Sequence, residues 1–318
     1  MPQRVDVHVD QPLSNFAVEY KNPAGLYIAN RVAPPVLVPK QSDKYFVYDK
    51  KDRFTRPKTA RGPKGKANTV DWNVSSDTYK CNDRALRDFV SDATVANSDA
   101  PIQPRQKTAA IVTDLLLLDR EIDVLGYITT YANYGSSMRT QLTGTDQFTD
   151  YTNSDPIGVI DTGKAACFMD PNYMFIGKSA YDKLKRHPQL LDHVKGGATS
   201  GDPATITAAQ MAEVFEIQNV VVSSAKYNTA NKGQTSIFDY IMGDSIVLAY
   251  IDAAAQMEGI SAFKTFVWQQ MATGIGYKVR SYRDEEVGGG GEWIEVETSD
   301  DFKVVCSDVA YLIYDTNE

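Results

Sequence analysis

The chain has 318 residues, 42% of them hydrophobic and 23% charged, so it can bury a substantial core, and its formal net charge of −8 makes it acidic. No apolar stretch follows Met1 as a secretory leader needs, and no run of about 18 apolar residues exists, so neither a secretory signal nor a membrane span is expected. The cysteines, Cys81, Cys167 and Cys306, are far apart and odd in number, which argues against a disulfide framework or a zinc site and fits a reducing compartment.

Residues 1–43 read as an extended arm, punctuated by Pro23, Pro34, Pro35 and Pro39, because a residue before proline avoids the helix. Val32, Val36 and Val38 are its candidate docking side chains. Residues 44–80 read as a long hairpin. One flank, KYFVYDK (Lys44–Lys50), is aromatic and β-branched, and the other, Asn68–Lys80, alternates with a period of two. The tip between them is KKDRFTRPKTARGPKGK, Lys50–Lys66, with turn formers at Pro57, Gly62, Pro63 and Gly65. Its eight cations, Lys50, Lys51, Arg53, Arg56, Lys58, Arg61, Lys64 and Lys66, against Asp52 alone, give +7 and leave −15 for the other 301 residues. Few apolar residues support this tip, so it is expected to project. Such a basic run suits either nucleic acid or a partner subunit with an acidic surface.

Residues 103–134 carry the strongest helical pattern. Ile111, Leu115, Leu118, Ile122, Leu125 and Thr129 follow one another at spacings of four and three, which predicts one continuous apolar stripe. Pro104 suits the first turn and Gly135 a C-terminal stop, giving a strut roughly 48 Å long. An α/β mixture is expected from about residue 151. SDPIGVIDTGKAACF begins with a Ser154 or Asp155 cap and Pro156 and reads as a helix. YMFIG (Tyr173–Gly177) reads as a buried strand. KSAYDKLKRH and PQLLDHVKGG read as helices, the second closed by Gly196 and Gly197. TAAQMAEVFEI is a further helix, and NVVVSSA and SIVLAYI are strands. Lys278 lies in a second long hairpin, IGYKVRSYRDEEVGGGGEWIEVET, turning at Gly288–Gly291. The run Val304–Tyr314 reads as a last strand.

Motifs that carry chemistry elsewhere lack their companions here. Asp-Thr-Gly at Asp161–Gly163 is the aspartic-protease triplet, but it occurs once and inside a helical pattern, whereas that chemistry needs two carboxylates sharing a proton. Gly177-Lys178-Ser179 lacks the glycine a P-loop has five residues before the first Gly; Asn172 stands there. His187 and His193 are separated by Pro188 and cannot share a helix face for a metal, and with His8 they are expected at the surface. Gly243-Asp244-Ser245 has no histidine after it to act as base. No catalytic, cofactor or metal residues are therefore expected.

The order of parts is arm, projecting hairpin, long helix, α/β domain, second hairpin, final strand. Within it stand GLYIANRVAPPVLVPKQSDKYFVYDK, RALRDFVSDATVANSDAPIQP, TDLLLLDREIDVLG, YTNSDPIGVIDTGKAA, FIGKSAYDKLKRHPQLLDHVKGG and AKYNTANKGQ. Taken together, over about residues 20–316, these resemble the major capsid proteins of tailed bacteriophages, with the Hong Kong 97-type fold.

The resemblance implies an α+β fold with an N-arm (1–43) and an E-loop hairpin (44–80). It implies a peripheral domain with a long spine helix (81–150 and 274–304) and an α/β axial domain (151–273 and 305–318). It further implies self-assembly into pentamers and hexamers of an icosahedral shell around double-stranded DNA, held by non-specific contact. A portal protein and a separate scaffolding protein are implied partners, the latter because the arm begins almost at Met1. Assembly in the host bacterial cytoplasm and residence in the virion are implied, with no membrane. The eight cations of the tip become subunit-interface residues. Some family members join an E-loop lysine to an asparagine of a neighbour, and Lys58, Lys64 and Lys66 are available for this. The rival readings are an encapsulin-type compartment shell, which shares the fold, and a homodimeric aspartic hydrolase using Asp161.

Overall fold

Two five-stranded sheets share one long helix in a computed structural model that describes residues 22–48, 54–71, 73–98, 103–195, 205–252, 254, 259–270, 277–287 and 289–317. The described part of the arm is not extended throughout. Ala29–Val32 forms a single helical turn, α1, and Pro35–Val38 forms a strand, β1. Prolines 34 and 35 end the turn by removing donors and restricting the residue before them. Val32, Val36 and Val38 are buried, as expected of docking side chains.

Ser42–Tyr48 (β2) and Val74–Lys80 (β3) pair antiparallel from Ser42 opposite Lys80 to Tyr48 opposite Val74. The alternation expected to make a strand from Asn68 does so only from Val74. Asn82–Ser91 (β4) is a strand the sequence did not suggest, because Asp83, Arg84, Arg87 and Asp88 obscure its pattern. Ser91 accepts a hydrogen bond from the Thr94 N–H at 3.1 Å and so starts the short helix α2, Asp92–Asn97.

The strut, α3, runs Pro104–Thr129 and is 26 residues, or about 39 Å, long. It stops short of residue 134 because its last carbonyls find other partners. The Thr129 and Thr130 hydroxyls donate to the carbonyls of Leu125 and Gly126, and the Asn133 amide donates to that of Tyr127. The expected stripe is also corrected. The buried residues are Val112, Leu116, Glu121, Val124, Leu125 and Ile128, whereas Ile111 and Leu115 are exposed. The helix changes partner halfway. Val112 and Leu116 pack on Val296, while Val124, Leu125 and Ile128 join the main core with Ile28, Ala29 and Val32. No single stripe can serve both surfaces.

The remaining elements are β5 (Arg139–Gln141), α4 (Pro156–Ala166), β6 (Tyr173–Gly177), α5 (Lys178–Leu184), α6 (Pro188–Lys195), α7 (Ala208–Val214), β7 (Asn219–Ser223), β8 (Lys226–Asn228), β9 (Phe238–Tyr240), β10 (Ile246–Ala249), β11 (Phe263–Trp268), β12 (Lys278–Asp284), β13 (Gly291–Val304) and β14 (Ala310–Tyr314). Asp155 is the cap of α4, accepting the Gly158 N–H at 3.0 Å. Thr207 and Gln210 form a reciprocal capping box at α7. The expected stop of α6 at Gly196 and Gly197 lies outside the described residues.

The first sheet has the order β5-β14-β10-β6-β7. Met174, Phe175, Ile176, Ile246, Val247 and Leu248 are all fully buried, the continuous apolar pattern of strands covered on both faces. β5 hydrogen-bonds parallel to β14, so residues 139–141 belong with this sheet. In the second sheet, β13 is flanked by β12 and β11 on one edge and by β4 over ten pairs on the other, and β1 extends it by pairing parallel to β11. The expected hairpin is β12–β13, with Gly289 and Gly290 in the left-handed region at its turn. The last expected strand is split, because the chain must leave the second sheet at Val304 and turn through Ser307–Val309 before entering the first as β14.

Candidate subunit interface

The base of the first hairpin is rigidly held. Tyr79 stacks on Phe266 with ring centroids 4.7 Å apart, Tyr45 lies 5.3 Å from the same ring, and Val36, Val38 and Cys81 complete the cluster. Burying a phenylalanine such as Phe266 contributes about 1.5–3 kcal/mol. The Tyr45 hydroxyl donates to Asp77 at 2.8 Å, and the Lys80 N–H donates to Asp301 at 2.9 Å. Burial pushes the Cys81 thiol up to about 12, helped by Asp301 and Asp300, so this cysteine packs as an apolar group.

Beyond the base the chain changes character. All of residues 54–71 are exposed. Arg56, Lys58, Arg61, Lys64 and Lys66 therefore stand in solvent, and among the described residues none of them is ion-paired within the chain. Lys50, Lys51 and Arg53 lie outside the described residues. The two limbs enclose an open cleft of about 1020 Å³ lined in part by Pro57, Lys58, Arg61, Asn68 and Asp71, and the Asn68 amide donates to the Lys58 carbonyl across it. Phe54 meets Phe168 edge-on at 4.8 Å, with Phe54 largely exposed and Phe168 less than half so.

Beyond the pairing of β1 with β11, side-chain hydrogen bonds fasten the arm. The Asn22 side chain brackets the backbone of Lys226, donating to its carbonyl at 2.8 Å and accepting its N–H at 3.2 Å. The Tyr27 hydroxyl donates to Asp114 at 3.2 Å. The buried Glu121 carboxylate accepts the N–H groups of Ile28 and Ala29. Burial raises the Glu121 pKa, and these two hydrogen bonds oppose the rise. Its neighbour Arg120 lies 3.5 Å from Asp300 on β13, with burial lowering the guanidinium pKa and raising that of Asp300. Sequence reasoning passed over both. The available signal was a pair of opposite charges set among apolar positions near the middle of a strut.

Asp161 sits on the exposed face of α4, 3.6 Å from Lys164, not at a strand-to-loop corner. Gly177 ends β6 so close to Gly243 that a Cβ would lie 2.1 Å from the Gly243 carbonyl oxygen. Lys178 pairs with Asp182 at 2.7 Å. Gly243 has a positive φ of 62°, and the Ser245 carbonyl accepts the Gly177 N–H at 2.9 Å, so both triplets serve one tight backbone crossing.

His193 is exposed and His8 lies outside the described residues, but His187, expected at the surface, is buried. Its Nε2 is 2.9 Å from Ser154 Oγ, which itself donates to the Asp150 carbonyl at 2.5 Å, so His187 is the donor of the pair. Its Nδ1 has no partner among the described residues, so no carboxylate orients the ring as a catalytic base requires. The ring packs edge-on against Tyr151, which is why Pro188 and the flanking charges mislead about its exposure. Among the described residues no three His, Cys, Asp or Glu side chains gather as a metal site, and no helix is long and apolar enough to cross a membrane.

No family model matches the chain. It is 29% identical over 305 residues to the major capsid protein of Pseudomonas phage JBD67, covering 95% of each chain. It is 30% identical over 248 residues to the major capsid protein of Burkholderia phage BcepMu, covering 76% of each. Among solved structures it is similar to a phage-related protein of Bordetella bronchiseptica RB50, with a TM-score of 0.70 at 22% identity over 96% of this chain and 97% of that one. The capsid of cyanophage P-SCSP1u gives 0.62 at 12% over 94% and 90%. The SrpI encapsulin of Synechococcus elongatus PCC 7942 gives 0.56 at 12% over 96% and 94%.

Proposed function

The chain belongs to the major capsid protein family of bacteriophages, and on that premise we propose that its copies associate as pentamers and hexamers into an icosahedral shell around double-stranded DNA. The fold is the Hong Kong 97-type capsid fold. The observation that carries the reading is sequence likeness along most of the chain to two phage major capsid proteins. In this reading residues 1–43 are the N-arm, 44–80 the E-loop, α3 the spine helix of a peripheral domain built on the second sheet, and the first sheet the axial domain, with β5 counted among its strands.

The hairpin suits the role physically. Its base is anchored by Phe266, while at its tip Arg56, Lys58, Arg61, Lys64 and Lys66 stand in solvent with no ion pair among the described residues, in a chain that is acidic elsewhere. The cations Lys50, Lys51, Arg53, Arg56, Lys58, Arg61, Lys64 and Lys66 meet the acidic surface of a neighbouring subunit. One exposed ion pair contributes only ~0–1 kcal/mol, but several repeated at every contact set register and association rate. The shell works with a scaffolding protein, a portal protein and non-specifically held DNA, assembles in the host cytoplasm and resides in the virion. The chain performs no catalysis: Asp161→Asn leaves assembly intact and removes no peptidase activity.

The likeness to an encapsulin motivates the second reading, a compartment shell with an enzyme inside. Both are tested by expressing the full chain with its neighbouring genes, then examining sedimenting particles by microscopy and for contents. Shells holding nuclease-protected DNA are expected. Particles loaded with an enzyme would establish the second reading, and a chain that stays monomeric in every salt and crowding condition would overturn both.

A further inference from the structure

β12 is an open edge of the second sheet. It pairs with β13 from Lys278 opposite Glu297 to Asp284 opposite Gly291, and its other side has no backbone partner among the described residues. Val279 lies on the α3 side of the sheet opposite Val296, yet it is 48% exposed whereas Val296 is buried. Where a further strand would lie, the overhanging helix carries small side chains. Ala109, Ala110 and Thr113 line, with Leu117, Tyr277 and Val279, a groove of about 370 Å³ between α3 and β12. On the opposite face of β12, Lys278 lies 3.8 Å from Glu297, and Arg280 lies 2.7 Å from Glu295. Both cations remain about half exposed.

We propose that this groove holds residues 5–10 of the same chain, Val-Asp-Val-His-Val-Asp, added to β12 as a further strand. These residues lie outside the described ones, and their sequence carries the pattern that the edge requires. Val5, Val7 and Val9 alternate strictly with Asp6, His8 and Asp10, which suits a strand covered on one face, and Pro12 ends the run. Beside β12, the valines fall on the α3 side with Ala109, Thr113 and Val279. The polar residues then fall on the side of Lys278 and Arg280, because successive side chains of a strand point to opposite faces. With the valines so placed and the six residues lying along β12, Asp6 or Asp10 comes opposite Lys278 or Arg280, whether the strands run parallel or antiparallel. Opposite charges facing each other across paired strands attract.

The arm brings this segment within reach. The Tyr27 hydroxyl donates to Asp114, which also lines the groove, and Asn22, five residues earlier, is fixed at Lys226. The eleven residues between Asp10 and Asn22 span up to roughly 36–40 Å. A tethered segment is present at high effective concentration, so a weak strand contact is enough to hold it. Other occupants fit less well. The β12 edge of a second copy offers the groove Val279, Ser281 and Arg283, with a cation where the arm supplies a third valine. The basic loop would set its cations against Lys278 and Arg280. The inference is independent of the role given to that loop.

The test is hydrogen exchange of the full chain, read by mass spectrometry, on the parent and on a variant carrying Val5→Ser, Val7→Ser and Val9→Ser. The β12 amides that face away from β13 are expected to exchange roughly tenfold or more slowly in the parent than in the variant, at every protein concentration. Asp6→Lys with Asp10→Lys is expected to hasten exchange at the same amides, most at low salt. A photoreactive benzophenone side chain in place of Val7 locates the segment. It is expected to attach to residues 109–117 or 277–284 and to leave a product of single-chain mass. Exchange that is equally fast in the parent and the serine variant would overturn the proposal, because the edge would then be open in both. Exchange that is equally slow in both would also overturn it, because something else would cover the edge. Indifference to the two lysines, or attachment of the benzophenone elsewhere or to a second copy, would contradict it as well.

Discussion

Glu121 holds the backbone of Ala29: its Oε2 accepts the Ala29 N–H at 2.7 Å, and its Oε1 accepts that of Ile28 at 2.9 Å. A carboxylate taken from water into the core is costly unless its lone pairs are used, and here they fasten the arm to the strut. Glu121→Ala leaves two buried donors without an acceptor, each costing about 1–3 kcal/mol. The variant is expected to melt several degrees lower and to be cut by proteases before Val38. Glu121→Gln keeps one acceptor and falls between. A Glu121→Ala chain that melts and digests like the parent would show that the contact fastens nothing.

Gly177 is expected to tolerate nothing larger. Its added Cβ would meet the Gly243 carbonyl at 2.1 Å, and β6 cannot retreat without breaking the Gly177–Ser245 bond. Gly177→Ala should yield little soluble protein, since overpacking a core typically costs 1–3 kcal/mol and backbone leaves nothing to yield, so about 3 kcal/mol is the expected scale. Lys178→Ala, which loses a partly exposed pair with Asp182 and a cation–π contact with Tyr181, should change the melt by only about 1 kcal/mol. Soluble, stable Gly177→Ala protein would refute the crossing as the reason for this glycine.

His187 gives a pH dependence with a definite sign. Burial lowers its pKa below the ordinary value, with Asp155 opposing. The unfolded chain then binds a proton that the folded one refuses. Stability from this group is complete above about pH 6.5 and declines as the pH falls through the lowered folded value. Glu121 has a raised pKa and acts in the opposite sense: its contribution is present at low pH and lost as the pH rises through the raised value. Comparing melts of the parent and His187→Gln between neutral and mildly acidic pH isolates the histidine. The parent should lose more stability than the variant on acidification, and parallel slopes would contradict this assignment.

What the sequence disclosed follows what each element packs against. The inner strands of the first sheet, β6 and β10, were legible because both faces are covered, so their apolar runs are continuous, as in Phe175 and Val247, whereas the short, partly exposed edge strand β5 was not. β4 was hidden because its cross-strand partners, such as Glu295 opposite Arg87, complement charge with charge. The strut was legible in existence but not in orientation, because Val112 and Val124 answer to different cores and Ile111 to neither. Among the described residues of the basic tip, Arg56, Lys58, Arg61, Lys64 and Lys66 were legible as exposed charge. His187 was not legible as buried, because its burial depends on Tyr151 and Ser154, more than thirty positions away.

The central claim, assembly through the basic loop, is tested most directly by sedimentation of the parent chain and of a variant in which Arg56, Lys58, Arg61 and Lys64 are all replaced by Glu. These side chains are exposed and add nothing to the core, so the variant should fold and melt like the parent. The parent should sediment as pentamers, hexamers or shells at low salt. It should associate less at high salt, where the Debye length falls from ~10 Å at 0.1 M to ~3 Å at 1 M. The variant should remain a folded, unassembled subunit in both. Normal shells from the variant, together with the loss of duplex binding that the parent shows with a steep salt dependence, would mean that the loop holds DNA and not a neighbouring subunit.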